Sequence, residues 1–200
     1  MAFEFGSIDV PKSRPHRCPW WLGWALVSPL RRMVENPEAL LGPLVSKGNR
    51  VLEVGPGMGF FTMELAERVG TDGHVDCVDV EPRMLQGLER RLKKHGLAER
   101  VTLRLCESSS LGVGDLAESI DLTVLIHVLH EMPQPKVTLA EVAATLRPKG
   151  KLLLIEPNGH VSEEVFEAEL AMAREVGFST IDPPKDWGKR PKLFAILARV

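Results

Sequence analysis

Along residues 47–200, short apolar runs alternate with stretches of helical periodicity. The runs are Val51-Leu52-Glu53-Val54, the β-rich His74 to Val80, a strand followed by polar residues over Val101 to Ser108, Asp121 to Ile126, Gly150 to Glu156 and Pro191 to Arg199. Between them, helical spacing covers about 60–69, 82–96, 136–146 and 162–176. Strands and helices in strict alternation predict an α/β fold with a mostly parallel sheet and right-handed crossovers.

Residues 1–46 carry a different pattern and read as an N-terminal helical cap on a core spanning 47–200, the whole forming one compact domain. Trp20 to Val27 has the make-up of a short apolar helix. A second helix starts at Asn36-Pro37, with Asn36 as N-cap and Pro37 at the first helical position. Trp20, Trp21 and Trp24 fall roughly on one side of the first helix. They would either join the cap to the sheet or roof an apolar or aromatic ligand. Docking to a membrane interface is a third reading. Trp187 and Arg190, in a Pro-rich loop before the last strand, are expected at the same edge.

The first strand runs into Gly55-Pro56-Gly57-Met58-Gly59 and then a helix. Glycines in such a turn let backbone approach a ligand and supply positive φ, and the N–H groups at the helix start favour polar or anionic ligand groups. The dinucleotide fingerprint G-x-G-x-x-G is not met, because Phe60 stands where its third glycine belongs. Asp79, at the end of the second strand, lies about 20 residues past the last glycine, the distance at which an acid receives ribose hydroxyls. Glu81-Pro82 then opens the next helix. Glu107 and Ser108 close the third strand, and His127-Val128-Leu129-His130-Glu131 follows the fourth. In open α/β sheets ligands bind outside the carboxyl ends of the strands, which places these residues together.

The segment Glu53-Val54-Gly55-Pro56-Gly57-Met58-Gly59 resembles the first motif of class I S-adenosylmethionine-dependent methyltransferases. The run from Val78-Asp79 to Pro82-Arg83-Met84-Leu85 resembles that family's second-strand motif, and Val128-Leu129-His130-Glu131 its fourth-strand motif. The likeness spans about 47–200, and the segment from His16 to Glu38 is similar to a group of small bacterial and archaeal members. The resemblance implies a Rossmann-like three-layer sandwich with a seven-stranded sheet in the order 3-2-1-4-5-7-6, the last strand antiparallel. It implies S-adenosylmethionine as cofactor and S-adenosylhomocysteine as product. Glu53, Gly55, Pro56, Gly57, Gly59, Asp79, Val80, Glu107, Ser108 and His127 would then form the cofactor site, with Asp79 on the ribose and Glu107 near the adenine amino group. The family's commoner Gly-Asp pair at that place is replaced by Cys106-Glu107.

In plant-type small-molecule O-methyltransferases the residue matching His130 is a general base, and Glu131 would orient it or balance the sulfonium charge. Imidazole suits that task, with an unperturbed pKa of about 6.5. His160, after the fifth strand, is a second catalytic candidate that would face His130. Alternatively His127 and His130 only shape the cofactor site. H-x-x-H-E is neither zincin order, so no metal is expected.

A nicotinamide-dependent oxidoreductase is the alternative enzyme, and it conflicts with Phe60 and with the absence of tyrosine. A non-catalytic S-adenosylmethionine-binding protein is the alternative outside enzymes. A net charge of −2 over 200 residues gives no overall pull toward nucleic acid or anionic membrane. The partner expected is a small-molecule methyl acceptor, with the chain a monomer or homodimer. Three cysteines without C-x-x-C spacing fit a reducing cytoplasm. Cys106, beside the adenine position, is a candidate for alkylation, and Cys18 for holding a soft acceptor such as arsenite. The apolar stretch from Cys18 to Leu30 is too short to span a bilayer, so no stable membrane insertion is expected.

Overall fold

The computed structural model describes Arg31, residues 35–185, Trp187, Gly188 and residues 190–200. The expectations on Cys18, Trp20, Trp21 and Trp24 lie outside these residues. Helix α1 is Pro37–Leu41, and the Asn36 side chain accepts hydrogen bonds from the N–H groups of Glu38 (3.0 Å) and Ala39 (3.5 Å). The alternating core follows: β1 (Arg50–Val54), α2 (Thr62–Val69), β2 (His74–Asp79), α3 (Pro82–His95), β3 (Val101–Leu105), β4 (Ile120–Ile126), α4 (Pro135–Thr145), β5 (Leu146–Glu156), α5 (Glu163–Glu175), β6 (Phe178–Ile181) and β7 (Leu193–Arg199).

These seven strands form one sheet in the order β3-β2-β1-β4-β5-β7-β6. β1 to β5 are parallel, and β7 runs antiparallel to both neighbours, β5 and β6. Alternate residues of each central strand point to opposite faces. Leu52, Val54, Leu125, Leu152 and Leu154 pack with Leu139 and Val142 of α4 and Phe166 and Leu170 of α5. Val51, Cys77, Val124, Leu153 and Ile155 pack with Leu65 and Val69 of α2 and Leu88 and Leu92 of α3. Strands covered on both faces must be apolar nearly throughout, which is why the runs read as continuous rather than alternating.

Helix ends set the geometry at the sheet's carboxyl edge. Glu81 caps α3 by accepting the Arg83 N–H at 3.0 Å, and Gly96 ends that helix in the left-handed region at φ 68°. Trp187 is 4% exposed, packs edge-on against Phe194 and donates its indole N–H to the Ala39 carbonyl at 3.0 Å. It belongs to the core beneath α1 rather than to the ligand-facing edge where the sequence placed it. The indole holds α1 against the sheet because a buried Trp N–H needs an acceptor, and the exposed helix end supplies one.

Candidate active site

A cavity of about 400 Å³ opens at the carboxyl ends of β1, β2, β3 and β4. That volume falls within the range that holds a small ligand. Its floor is the loop after β1. Gly55, Gly57 and Gly59 have φ of 70°, 55° and 84°, a region that side chains with Cβ enter at a cost. A Cβ on Gly55 would meet Val128 Cγ2 at 2.5 Å, so the loop and the turn after β4 can approach only without one. A Cβ on Gly57 would meet nothing within 4 Å, and Gly57 lines the cavity. The loop therefore leaves bare backbone facing open space, as a site for a bulky ligand must. From behind, Arg91 of α3 donates to the carbonyls of Met58 and Gly59, the latter at 3.0 Å.

Asp79 stands at the end of β2 beside this loop. Its carboxylate accepts the N–H groups of Gly57 (3.2 Å) and Glu81 (2.9 Å). Burial raises its pKa, and the backbone N–H groups of Glu81, Gly57 and Val80 counter that. Val80, Glu107 and Ser108 line the same cavity. Two of the sequence-predicted residues do not line it. Glu53 is 3% exposed and points behind the loop, where it accepts hydrogen bonds from the Thr62 hydroxyl (2.6 Å) and the Cys77 thiol (3.5 Å). Burial pushes its carboxyl up to about 7 despite those two donors, with the Asp79 charge adding to the rise. Gly59 faces α3, where a Cβ would meet Leu88 Cδ1 at 2.3 Å. Both residues shape the loop rather than its ligand face.

His127, His130, Glu131 and His160 all reach the cavity. His127 sits at φ 59°, an uncommon backbone for a residue with a Cβ, yet its N–H still continues the ladder to the Ile155 carbonyl at 2.8 Å. Its ring lies 3.4 Å from a carboxylate oxygen of Glu35. Burial lowers its pKa, and the Glu35 charge opposes that. His130 lies in a short 3₁₀ turn, Leu129–Glu131. Its ring is edge-on to that of His160, with centroids 6.1 Å apart.

The partner of His130 is Glu156, which the sequence reading passed over. Glu156 ends β5, is 1% exposed, and accepts both the His130 backbone N–H (3.2 Å) and the ring Nδ1 (2.5 Å). Glu131, expected to orient the imidazole, instead stands 4.0 Å from the opposite nitrogen, Nε2. Burial alone would lower the pKa of His130; the bond and charge of Glu156, with Glu131, outweigh it and leave the pKa raised. A lone acid closing the apolar run 152–155, at the same sheet edge as Asp79, was the available signal. Arg31 and Glu35 were also unanticipated, Glu35 holding Arg31 and the His127 ring from outside the lining. Arg31 lines the cavity and lies over the rings of Phe60 and Phe61, 4.2 and 5.4 Å from their centroids.

Burial pushes the Cys106 thiol up to about 11, with the Asp79 charge adding to it, which leaves little thiolate near neutrality. Among the described residues, no group of three or more His, Cys, Asp or Glu side chains is placed to hold a metal ion. None of their helices is long and apolar enough to cross a membrane.

A family profile described as "Methyltransferase domain" matches residues 45–195. The chain belongs to the class I S-adenosylmethionine-dependent methyltransferases. Membership in this family overturns the nicotinamide alternative and makes S-adenosylmethionine the cofactor of the fold. An arsenite methyltransferase from Halobacterium salinarum is 33% identical over 119 residues, which is 60% of this chain and 29% of that protein. A ubiquinone/menaquinone biosynthesis C-methyltransferase from Azotobacter vinelandii is 28% identical over 127 residues, 62% of this chain and 49% of that protein. The matches thus span half or less of the length of these methyltransferases. The solved structure of a methyltransferase from Aquifex aeolicus superposes with a TM-score of 0.77 at 22% identity, covering 92% of this chain and 98% of that one. It shares the fold.

The bare glycine loop, the cavity volume and the buried carboxylate beside the loop fit this methyltransferase cofactor. Its nucleoside needs a backbone surface without Cβ atoms, and its ribose diol needs an acceptor pair.

Proposed function

We propose that this chain transfers a methyl group from S-adenosylmethionine to a small-molecule acceptor held beside His130, with His130 as general base. The observation that carries the reading is His130, on the wall of the cavity that the glycine loop floors, paired from behind with the buried Glu156. A relative that acts on arsenite and one in quinone biosynthesis support a small acceptor.

The cofactor, when bound, supplies an already activated methyl on a sulfonium, so the protein's work is alignment, dehydration and proton removal. Gly55, Pro56 and Gly57 present backbone to the ligand, and Asp79 offers its carboxylate to the ribose hydroxyls. Val80, Glu107, Ser108 and His127 complete the cofactor walls. The carboxylate of Glu156 accepts only, so His130 carries its proton on Nδ1 and leaves Nε2 as a lone pair toward the cavity. An acceptor O–H or S–H would give its proton to that nitrogen as the methyl arrives. The resulting imidazolium is balanced by Glu156 on one side and Glu131 on the other. His160, Met132 and Pro133 would bound the acceptor, giving it a mostly apolar contact with polar edges.

Turnover against a panel of phenols, thiols, quinols and arsenite, followed as S-adenosylhomocysteine release, tests the reading. A His130→Ala variant that binds S-adenosylhomocysteine normally and loses about 10²–10⁴-fold in turnover supports the base. Unchanged turnover in that variant refutes it and leaves alignment as the whole mechanism. Tight cofactor binding with no turnover on any acceptor would favour a non-catalytic binding protein.

A further inference from the structure

Arg31 is the only arginine or lysine among the described residues that line the cavity. The same lining carries the carboxylates of Asp79, Glu81, Glu107 and Glu131. An anionic ligand group entering there meets several like charges and one cation. Resting on the cofactor reading above, we propose that Arg31 binds the α-carboxylate at the amino-acid end of S-adenosylmethionine, and that Glu35 positions it.

The two ends of the cavity differ in character. Asp79, bonded to Gly57, marks the middle, where the sugar is gripped. Toward β2 and β3 the walls are Val80, Met84, Cys106 and Leu111, a largely apolar slot that suits a flat base. Toward β1 and β4 the walls are Gly55, Phe60, His127 and Arg31, so the charged tail belongs there.

Arg31 is built into that end rather than draped over it. Its side chain is 21% exposed, and its Nε and one terminal nitrogen donate to the same Glu35 oxygen, at 3.2 and 2.9 Å. Its face rests on Phe60, which orients the guanidinium and shields it from water. The other Glu35 oxygen reaches the His127 ring, and burial keeps that ring toward its neutral form. Arg31 and Glu35 are therefore a neutral pair, with Arg31 on the cavity wall and Glu35 behind it. A carboxylate entering the cavity meets the guanidinium of that pair, which Glu35 holds in place.

The test compares two ligands by isothermal titration: S-adenosylhomocysteine, which has the amino-acid tail, and 5′-methylthioadenosine, which lacks it. Arg31→Gln is expected to weaken S-adenosylhomocysteine by about ten- to a hundredfold while leaving 5′-methylthioadenosine within about twofold of wild type. Retained 5′-methylthioadenosine binding also shows that the variant is folded. Glu35→Gln keeps the cation but loosens its aim, and a smaller loss for the tailed ligand alone is expected. Equal loss of both ligands, or no loss of either, overturns the assignment. If wild-type protein binds neither ligand, the failure lies with the cofactor reading instead.

Discussion

Nδ1 of His130, in the turn after β4, lies 2.5 Å from Oε2 of Glu156, the last residue of β5. The pairing follows from sheet order. β4 and β5 are parallel neighbours with Ile126 opposite Ile155, so the residues just beyond their carboxyl ends converge. Glu156→Gln is expected to remove the charge that raises the His130 pKa. If His130 is the base, activity is lost as pH falls through its pKa. In the variant that limb moves to lower pH, and the turnover plateau drops because the weaker, less firmly oriented base takes the proton less well. NMR titration of the His130 ring gives a readout independent of activity. A ring pKa unchanged by Glu156→Gln would contradict the pairing.

The glycine loop separates binding from folding. Gly57→Ala places a methyl in open space on the ligand face, at φ 55°. A stability loss of about 1–2 kcal/mol is expected from the left-handed backbone, together with a marked fall in S-adenosylhomocysteine affinity. Gly55→Ala drives its methyl into Val128, so its larger effect is expected on stability, about 2–4 kcal/mol with strain and overpacking combined. Thermal denaturation alongside titration calorimetry distinguishes the two. Equal stability losses with unchanged affinity in Gly57→Ala would argue against a ligand over this loop.

Asp79 holds the loop and, in the proposed function, the ribose. Asp79→Asn retains an acceptor for one backbone N–H but loses the carboxylate pair, and an affinity loss of about ten- to a hundredfold for S-adenosylhomocysteine is expected. Because burial raises the Asp79 pKa, wild-type affinity should decline in acid at a higher pH than an ordinary aspartate would cause. Calorimetry across the acid range checks both, and an affinity insensitive to pH and to the substitution would remove Asp79 from the site.

Glu169 of α5 is 3% exposed and has one carboxyl oxygen without a hydrogen-bond partner. Burial, aided by the Glu156 charge, pushes its pKa up from 4.5 to about 8. Folded Glu169 thus keeps a proton that the unfolded chain releases above pH 4.5, and its contribution makes stability fall as pH rises from about 4.5 to about 8. Glu169→Gln, neutral at every pH, should be more stable than wild type by on the order of 1–2 kcal/mol at pH 7, with the gain gone near pH 4.5. Denaturant melts at the two pH values measure it; a pH-independent difference would mean that the carboxyl is not titrating in the fold.

Much of the architecture was legible in the chain because its physics is local. Parallel strands buried on both faces must be apolar nearly throughout, and runs such as Asp121 to Ile126 announce them. Asn36-Pro37 and Glu81-Pro82 mark helix starts through capping chemistry that needs no partner from elsewhere. The Gly55–Gly59 turn and Asp79 are legible for the same reason, since positive φ and an acid at a strand end are requirements of adjacent backbone.

What only tertiary structure decided are the relations between distant segments. The partner of His130 is Glu156 rather than its sequence neighbour Glu131, because parallel register aligns strand ends 26 residues apart while the 3₁₀ turn aims Glu131 at the other ring nitrogen. Glu53 turns behind the loop because the alternation of a strand gives it the face toward Thr62 and Cys77. Trp187 spans 148 residues to reach Ala39, Arg31 lies over Phe60, and Glu35 reaches the His127 ring. Composition and spacing carry no record of such meetings, because which side chains share a low-dielectric pocket depends on how the whole sheet is ordered.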